Sequence, residues 1–142
     1  MSDYDTDVAA WAKQQADALR RRAANEIDWD NVAEEIEDVA GRHRDRLYGA
    51  LQTALVHLLK WQFQPYQRAI RSRAFTTGAR ERIAKSRRDI PTLASYPGEQ
   101  LADAYASARR IAAAETGLAG LPETCPWTIE QVLDHDYWPG PA

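Results

Sequence analysis

Apolar residues recur every three to four positions along most of this chain, which is the spacing of an amphipathic α-helix. The first segment of this kind spans residues 5–23, and a second begins near Asp28 and continues to Trp61. No segment shows the strict alternation of apolar and polar residues that is typical of a half-buried strand. The pattern therefore predicts an all-α protein.

The second segment changes character along its length. Its first half is amphipathic, whereas residues 50–61 place apolar side chains all round the helix. These side chains are Leu51, Leu55, Val56, Leu58 and Leu59. A helix that is apolar on every side is buried on every side, so we predict that residues 50–61 form the centre of the fold. Gly41 and Gly49 are candidate positions for a break, and Pro65 should end the helix because it lacks a backbone donor.

Three further helices follow. Residues 67–90 are rich in arginine and carry a thin apolar stripe, and residues 97–116 are rich in alanine and end at Gly117, a favourable C-terminal cap. A T-x-x-Q capping box that starts at Thr128 begins a short last helix. The expected fold is an all-α, up-and-down helical bundle of about four long helices plus a short C-terminal capping helix, in a single domain over residues 1–142.

Composition narrows the class of protein. The chain has 142 residues with 44% hydrophobic content, which is enough for one folded domain that needs no disulfide bonds or structural metal ions. Its lone cysteine, Cys125, excludes an internal disulfide framework and suggests a reducing cytoplasm. The start, MSDYDTDVAAW, is acidic where a signal peptide is basic, and no apolar run reaches the length of a membrane span. We expect a cytoplasmic protein that neither enters a membrane nor carries a cofactor.

Charge is distributed unevenly although the net charge is only −3. Residues 26–38 carry seven acids and no base, and residues 66–88 carry eight bases and one acid. Two such segments can pair within one chain or across the interface of a homodimer, and we expect one of these arrangements. Binding of nucleic acid to the basic segment is the less favoured interpretation, because the net negative charge opposes it.

His57 is a polar ring inside the most apolar segment of the chain. A buried histidine usually bonds to a carboxylate or a backbone carbonyl, so we predict a bond of this kind for His57. Replacing His57 with leucine should then cost about 1–3 kcal/mol by leaving a buried partner unsatisfied. The Glu-x-x-His spacing of di-iron bundles is absent. No metal is expected, and Glu35 and His57 are only weak candidates for ligands.

Three blocks of sequence resemble the bacterial domain-of-unknown-function twenty-nine (DUF 29) family: DWDNVAEEIEDV, LVHLLKWQFQP and ETGLAGLPETCPWTIEQVLDHDYWP. The resemblance runs from about Tyr4 to Pro139 and implies an all-helical fold of this length with no assigned activity. The family pattern falls on Trp29, Asn31, Glu34, Glu35, Glu37, His57, Lys60, Trp61, Pro65, Glu115, Cys125, Pro126, Trp127, Gln131, Trp138 and Pro139. The chain departs from the pattern at Ala9, where the family usually has an aromatic residue, and at Phe75, where it usually has tryptophan. Because the pattern keeps both the histidine and the acids, the resemblance implies one buried network in which His57 bonds Glu35 or Glu115.

Two hypotheses for function follow from the residues. In the first, the protein is a self-associating, non-enzymatic helical module, and some of its aromatic surface faces a partner. In the second, it is a hydrolase or nuclease, with or without a metal. His57 would be the acid or base, Glu35 would orient it, and Arg73 or Arg82 would hold a phosphate. Glu115 is the remaining candidate for a catalytic residue. Convergence of these residues on one open pocket would favour the enzyme.

Overall fold

The computed structural model describes residues 3–64 and 70–140, and in these residues the regular structure is entirely helical. The helices are α1 (Asp3–Thr6), α2 (Val8–Arg20), α3 (Trp29–Phe63), α4 (Ile70–Asp89), α5 (Tyr96–Thr116) and α6 (Ile129–Leu133). Short 3-10 turns span Ala24–Glu26 and Pro91–Leu93. The predicted all-α helical bundle, with four long helices and a short C-terminal helix, is confirmed.

Helix α3 is one continuous element of 35 residues. Neither Gly41 nor Gly49 interrupts it, so the open question of a break is answered. The helix begins after Asp28, whose backbone carbonyl accepts from the Val32 N–H. It ends at Phe63, and Pro65, which we expected to end it, lies outside the described residues.

Two local sequence rules are confirmed in the C-terminal half. Gly117 follows α5 in the left-handed conformation, with φ of 72°, which glycine adopts without steric cost. Thr128 and Gln131 form the full capping box at the start of α6, since each side chain accepts from the backbone N–H of the other. None of the described helices is both long and apolar enough to cross a membrane.

The chain divides into two compact units, Met1–Arg42 and His43–Ala142, and α3 contributes residues to both. In the first unit Trp11 and Ala18 are buried. The Trp11 indole donates to the Asp28 carboxylate at 3.1 Å, and Gln15 bonds the Asp28 N–H at 2.7 Å. These bonds tie α2 to the start of α3. A single domain over residues 1–142 stays a prediction.

The second unit has its core on α3. Leu55 and Leu58 have no exposed surface, and no residue from Leu47 to Gln64 is classed as exposed. The core also draws on the later helices and the C-terminal segment, through Ala79, Ile83, Leu93, Ala104, Tyr105, Ala108, Ala112, Leu121, Trp127 and Val132. Residues 50–61 therefore lie at the centre of this unit, as the apolar pattern predicts.

Arg80 is a buried charged residue of this core, with only 1% of its surface exposed. Its Nε donates to the Val132 carbonyl at 2.8 Å, and a second nitrogen donates to the Gln131 carbonyl at 3.2 Å. Both acceptors lie in the last turn of α6. The Gln131 carbonyl also accepts from the Asp134 N–H, whereas carbonyls at a helix end otherwise lack partners within the helix. The guanidinium also lies 4.9 Å from the centre of the Trp138 ring. Arg80 therefore fastens α6 to α4.

Replacing Arg80 with leucine should destabilise the protein by about 2 kcal/mol, because the buried Val132 carbonyl loses its charged donor and the Gln131 carbonyl loses one of its two donors. Urea denaturation followed by circular dichroism measures the change. Arg82→Leu is the matched control, since Arg82 lies on the same helix but is exposed. The control should stay within about 0.5 kcal/mol of the parent protein. Equal effects of the two substitutions would contradict the role assigned to Arg80.

Candidate functional site

His57 lies on α3 in the second unit, partly buried beside a small cavity of about 160 Å³ that Glu115 also lines. Its ring stacks on Phe75, with 4.8 Å between ring centres and 23° between planes. The Nδ1 atom is buried and has no hydrogen-bond partner in the described part of the chain. The expected bond from His57 to a carboxylate or carbonyl is absent from the described residues, so that prediction is wrong for them.

The Glu115 carboxylate has another partner. Its Oε2 lies 2.5 Å from the Lys60 ammonium, which is one turn along α3 from His57. Burial is the largest cause that lowers the pKa of His57, and the positive charge of Lys60 lowers it further. The negative charge of Glu115 acts in the opposite direction and raises this pKa. The ring is therefore neutral at pH 7, and the charged pair is Lys60 with Glu115.

Glu35 lies in the first unit. Its carboxylate accepts from the Tyr4 hydroxyl at 2.9 Å and lies 3.6 Å from the Arg42 guanidinium. The bond from Tyr4 raises the pKa of that phenol to about 12. Because Glu35 and His57 belong to different units, the pairing of these two residues stays a prediction.

The candidate arginines have different surroundings. The Arg73 guanidinium lies 5.0 Å from the centre of the Trp138 ring, which Arg80 also contacts. Arg82 lines a cavity between α3 and α4 that we call the basic cavity. Three candidates thus line three separate cavities: His57 the small cavity, Arg82 the basic cavity, and Glu35 a groove in the first unit. This arrangement gives no support to a catalytic site that combines them.

The groove in the first unit is apolar and lies between α2 and the first part of α3. We call it the apolar groove. Its lining residues are Trp11, Ala12, Gln15, Ala16, Leu19, Val32, Glu35, Ile36 and Val39. Ile36 is 67% exposed and Val39 is 47% exposed. Their spacing places both on one face of α3 with Val32.

Exposed apolar side chains concentrate in this unit. Of six large hydrophobic residues that are exposed in the described ranges, five belong to the first unit. They are Val8, Leu19, Trp29, Ile36 and Val39, and the sixth is Phe75. Most of this surface is aliphatic, whereas sequence reasoning led us to look for aromatic surface. The helical spacing of Val32, Ile36 and Val39 in the sequence predicts an apolar face on this helix. The spacing alone does not predict whether other residues of the protein cover that face.

Acidic, histidine and cysteine side chains are the groups that could hold a metal ion in this protein. No three such residues among those described lie close enough to one another to hold an ion. Cys125 is partly buried, and its thiol lies 3.3 Å from the Trp127 carbonyl. Burial raises the pKa of this thiol, so it is not activated as a nucleophile.

Comparison with known proteins identifies the family. Residues 4–138 match the family model described as "Domain of unknown function DUF29", which is nearly the whole chain. The chain therefore belongs to this family, as the resemblance of its three sequence blocks indicated. No curated protein and no solved structure matches it.

Replacing His57 with leucine should leave stability at neutral pH unchanged or slightly higher. Removing a buried unpartnered nitrogen relieves a desolvation cost of about 1–3 kcal/mol, which exceeds the stacking contribution of about 0.5–1.5 kcal/mol. The parent protein should lose stability as the pH falls below about 6.5, because the unfolded chain binds a proton at a higher pH than folded His57 does. The His57→Leu variant should lose less stability than the parent protein over the same fall in pH.

Urea denaturation at about pH 7.5 and about pH 5.5 tests this linkage. His135→Gln is the control, since His135 is exposed and its loss should leave the pH dependence of the parent unchanged. A large destabilisation of His57→Leu at about pH 7.5 would instead support the buried network that we expected from the sequence.

Proposed function

We propose that this member of the family is a self-associating helical module, and that the apolar groove binds the same groove of a second copy. One observation carries the proposal: the unit of residues 1–42 exposes five large hydrophobic side chains. Large apolar patches are uncommon on monomers and mark interaction surfaces.

The size of the first unit supports the need for a partner. It has 42 residues, near the limit below which a helical unit needs oligomerisation or another staple. Among its described hydrophobic residues, only Trp11 and Ala18 are fully buried. Packing a second two-helix unit over the groove would make a four-helix arrangement that covers Ile36 and Val39.

The charge along α3 favours a second copy as the occupant. Residues 30–38 carry five acids and no base, and residues 42–46 carry three arginines and one acid. In a two-fold symmetric dimer each copy presents the same surface. Antiparallel packing of two α3 helices about a point near Val39 would therefore bring the acidic run of one copy beside the arginines of the other. Opposite charges at such an interface fix its register.

Other parts of the hypothesis remain proposals. Pairing of residues 26–38 with the basic residues 66–88, within the chain or across a dimer, stays a prediction. A bacterial cytoplasmic setting fits the lone Cys125 and the family resemblance. The hydrolase or nuclease alternative ranks second, because His57, Glu35 and Arg82 line different cavities.

Sedimentation velocity over a range of protein concentrations tests the dimer. The parent protein should be a dimer, and Ile36→Glu with Val39→Glu should be a monomer with unchanged helix content, because two carboxylates would be buried at the interface. Raising the salt concentration should weaken the parent dimer without abolishing it, since salt screens the charges but not the apolar contact.

Ala33→Glu is the matched control. It adds the same charge to an exposed position of the same helix outside the groove, and it should leave the dimer intact. A parent protein that is monomeric at every concentration would overturn the proposal. A monomer that is also destabilised by the double substitution would show that another part of the same chain covers the groove.

A further inference from the structure

The basic cavity, between α3 and α4 of the second unit, has a volume of about 760 Å³. Its charged and hydroxyl groups come from Arg46, Thr53, Arg82, Lys85, Ser86 and Asp89. This volume lies within the range of sites for small molecules, about 300–1,000 Å³. The lining residues of this cavity all belong to the second unit, whereas those of the apolar groove belong to the first.

Charge in the basic cavity is only partly compensated. Lys85 pairs with Asp89, four residues later on α4. The guanidinium groups of Arg46 and Arg82 have no carboxylate partner and donate no hydrogen bond within the residues that the structure describes. Two positive charges therefore remain available to a ligand.

Two other arginines on α4 donate to backbone carbonyls. Arg80 donates to two carbonyls of α6, and Arg87 donates to the Ala94 carbonyl at 3.0 Å. Arg82 lies between these residues in sequence, yet its guanidinium bends back along the helix toward Gly78. A methyl group placed on Gly78 would lie 3.5 Å from Arg82 Nη1. Arg80 and Arg87 are thus engaged with backbone carbonyls, whereas Arg82 lines the cavity.

Neutral groups complete the lining. Thr53 donates its hydroxyl proton to the Gly49 carbonyl at 3.0 Å, so its oxygen can still accept from a ligand. The Ser86 hydroxyl has no partner among the described residues and can donate. Ala50 and Ile90 supply apolar surface. A ligand with an anionic group and an uncharged remainder fits this combination.

We propose that the basic cavity binds a small phosphate-bearing molecule, with Arg46 and Arg82 contacting the phosphate. Guanidinium groups bind phosphate through paired hydrogen bonds, and a phosphate monoester carries about 1.5–2 negative charges at pH 7, which matches two free arginines. A single phosphate ion fills only a small part of the cavity, so the ligand is of nucleotide or sugar-phosphate size. The net charge of −3 disfavours a long nucleic acid.

Isothermal titration at low salt with inorganic pyrophosphate, and separately with ADP, tests this site. Both probes should bind one per chain. Arg46→Gln with Arg82→Gln should weaken each by at least about tenfold, since a charged hydrogen bond contributes about 1.5–3 kcal/mol. The matched control is Arg44→Gln with Arg88→Gln. Its affinity for each probe should stay within about twofold of the affinity of the parent protein, well short of the tenfold loss expected for the test variant.

The control removes the same charge from the same two helices, at exposed positions outside the cavity. It also removes one arginine from residues 42–46, as the test variant does, so any effect on self-association is matched. Absence of binding by the parent, or equal weakening in the two variants, would overturn the proposal. A single-stranded RNA that binds more tightly than ADP, and that weakens equally in both variants, would assign the basic surface to a polymer instead.

Discussion

The close packing around α3 from Leu47 to Phe63, where no residue is exposed, is the constraint on which the second unit depends. Polar side chains in this stretch are only partly accessible to water, so their buried atoms need internal partners. Gln52 bonds Ser107, and Lys60 pairs with Glu115. His57 Nδ1 and Gln62 Oε1 are buried without a partner in the described residues. Polar side chains near the small cavity thus compete for a limited number of internal partners, and this competition determines which of them are hydrogen-bonded.

The competition explains why His57 is neutral and lacks the expected carboxylate. The Lys60 ammonium offers Glu115 a charged donor, whereas an imidazole that burial keeps neutral offers only a neutral donor. A charge-assisted bond is roughly twice as strong as a neutral one, so Glu115 gains more from Lys60. The ammonium then disfavours a second positive charge on the ring, and the pKa of His57 stays low. A general base could work in that state, but Arg82, a candidate for holding a phosphate, lines a different cavity.

How much the sequence predicts depends on the range of the interactions involved. The α3 helix, the Gly117 cap and the Thr128 capping box follow from residues close together in the chain, and all are confirmed. Arg80 could not be placed from sequence, because an arginine in a basic run normally belongs to a solvated face. Its acceptors lie 51 and 52 residues away. The partner of Glu115 likewise depends on how α5 packs against α3.

Interactions between residues distant in sequence also determine whether a run of positive charge can bind a ligand. Residues 66–88 carry a formal charge of +7, which by itself resembles a surface for nucleic acid. Among the described residues of this run, however, Arg80 and Arg87 are bound to backbone carbonyls and Lys85 to a carboxylate. An arginine that already bonds carbonyls has fewer donors left for a ligand, and it cannot move without loosening the fold. The capacity of this helix to bind an anion is therefore set by the arginines that lack an internal acceptor, and Arg82 is the one that lines the basic cavity.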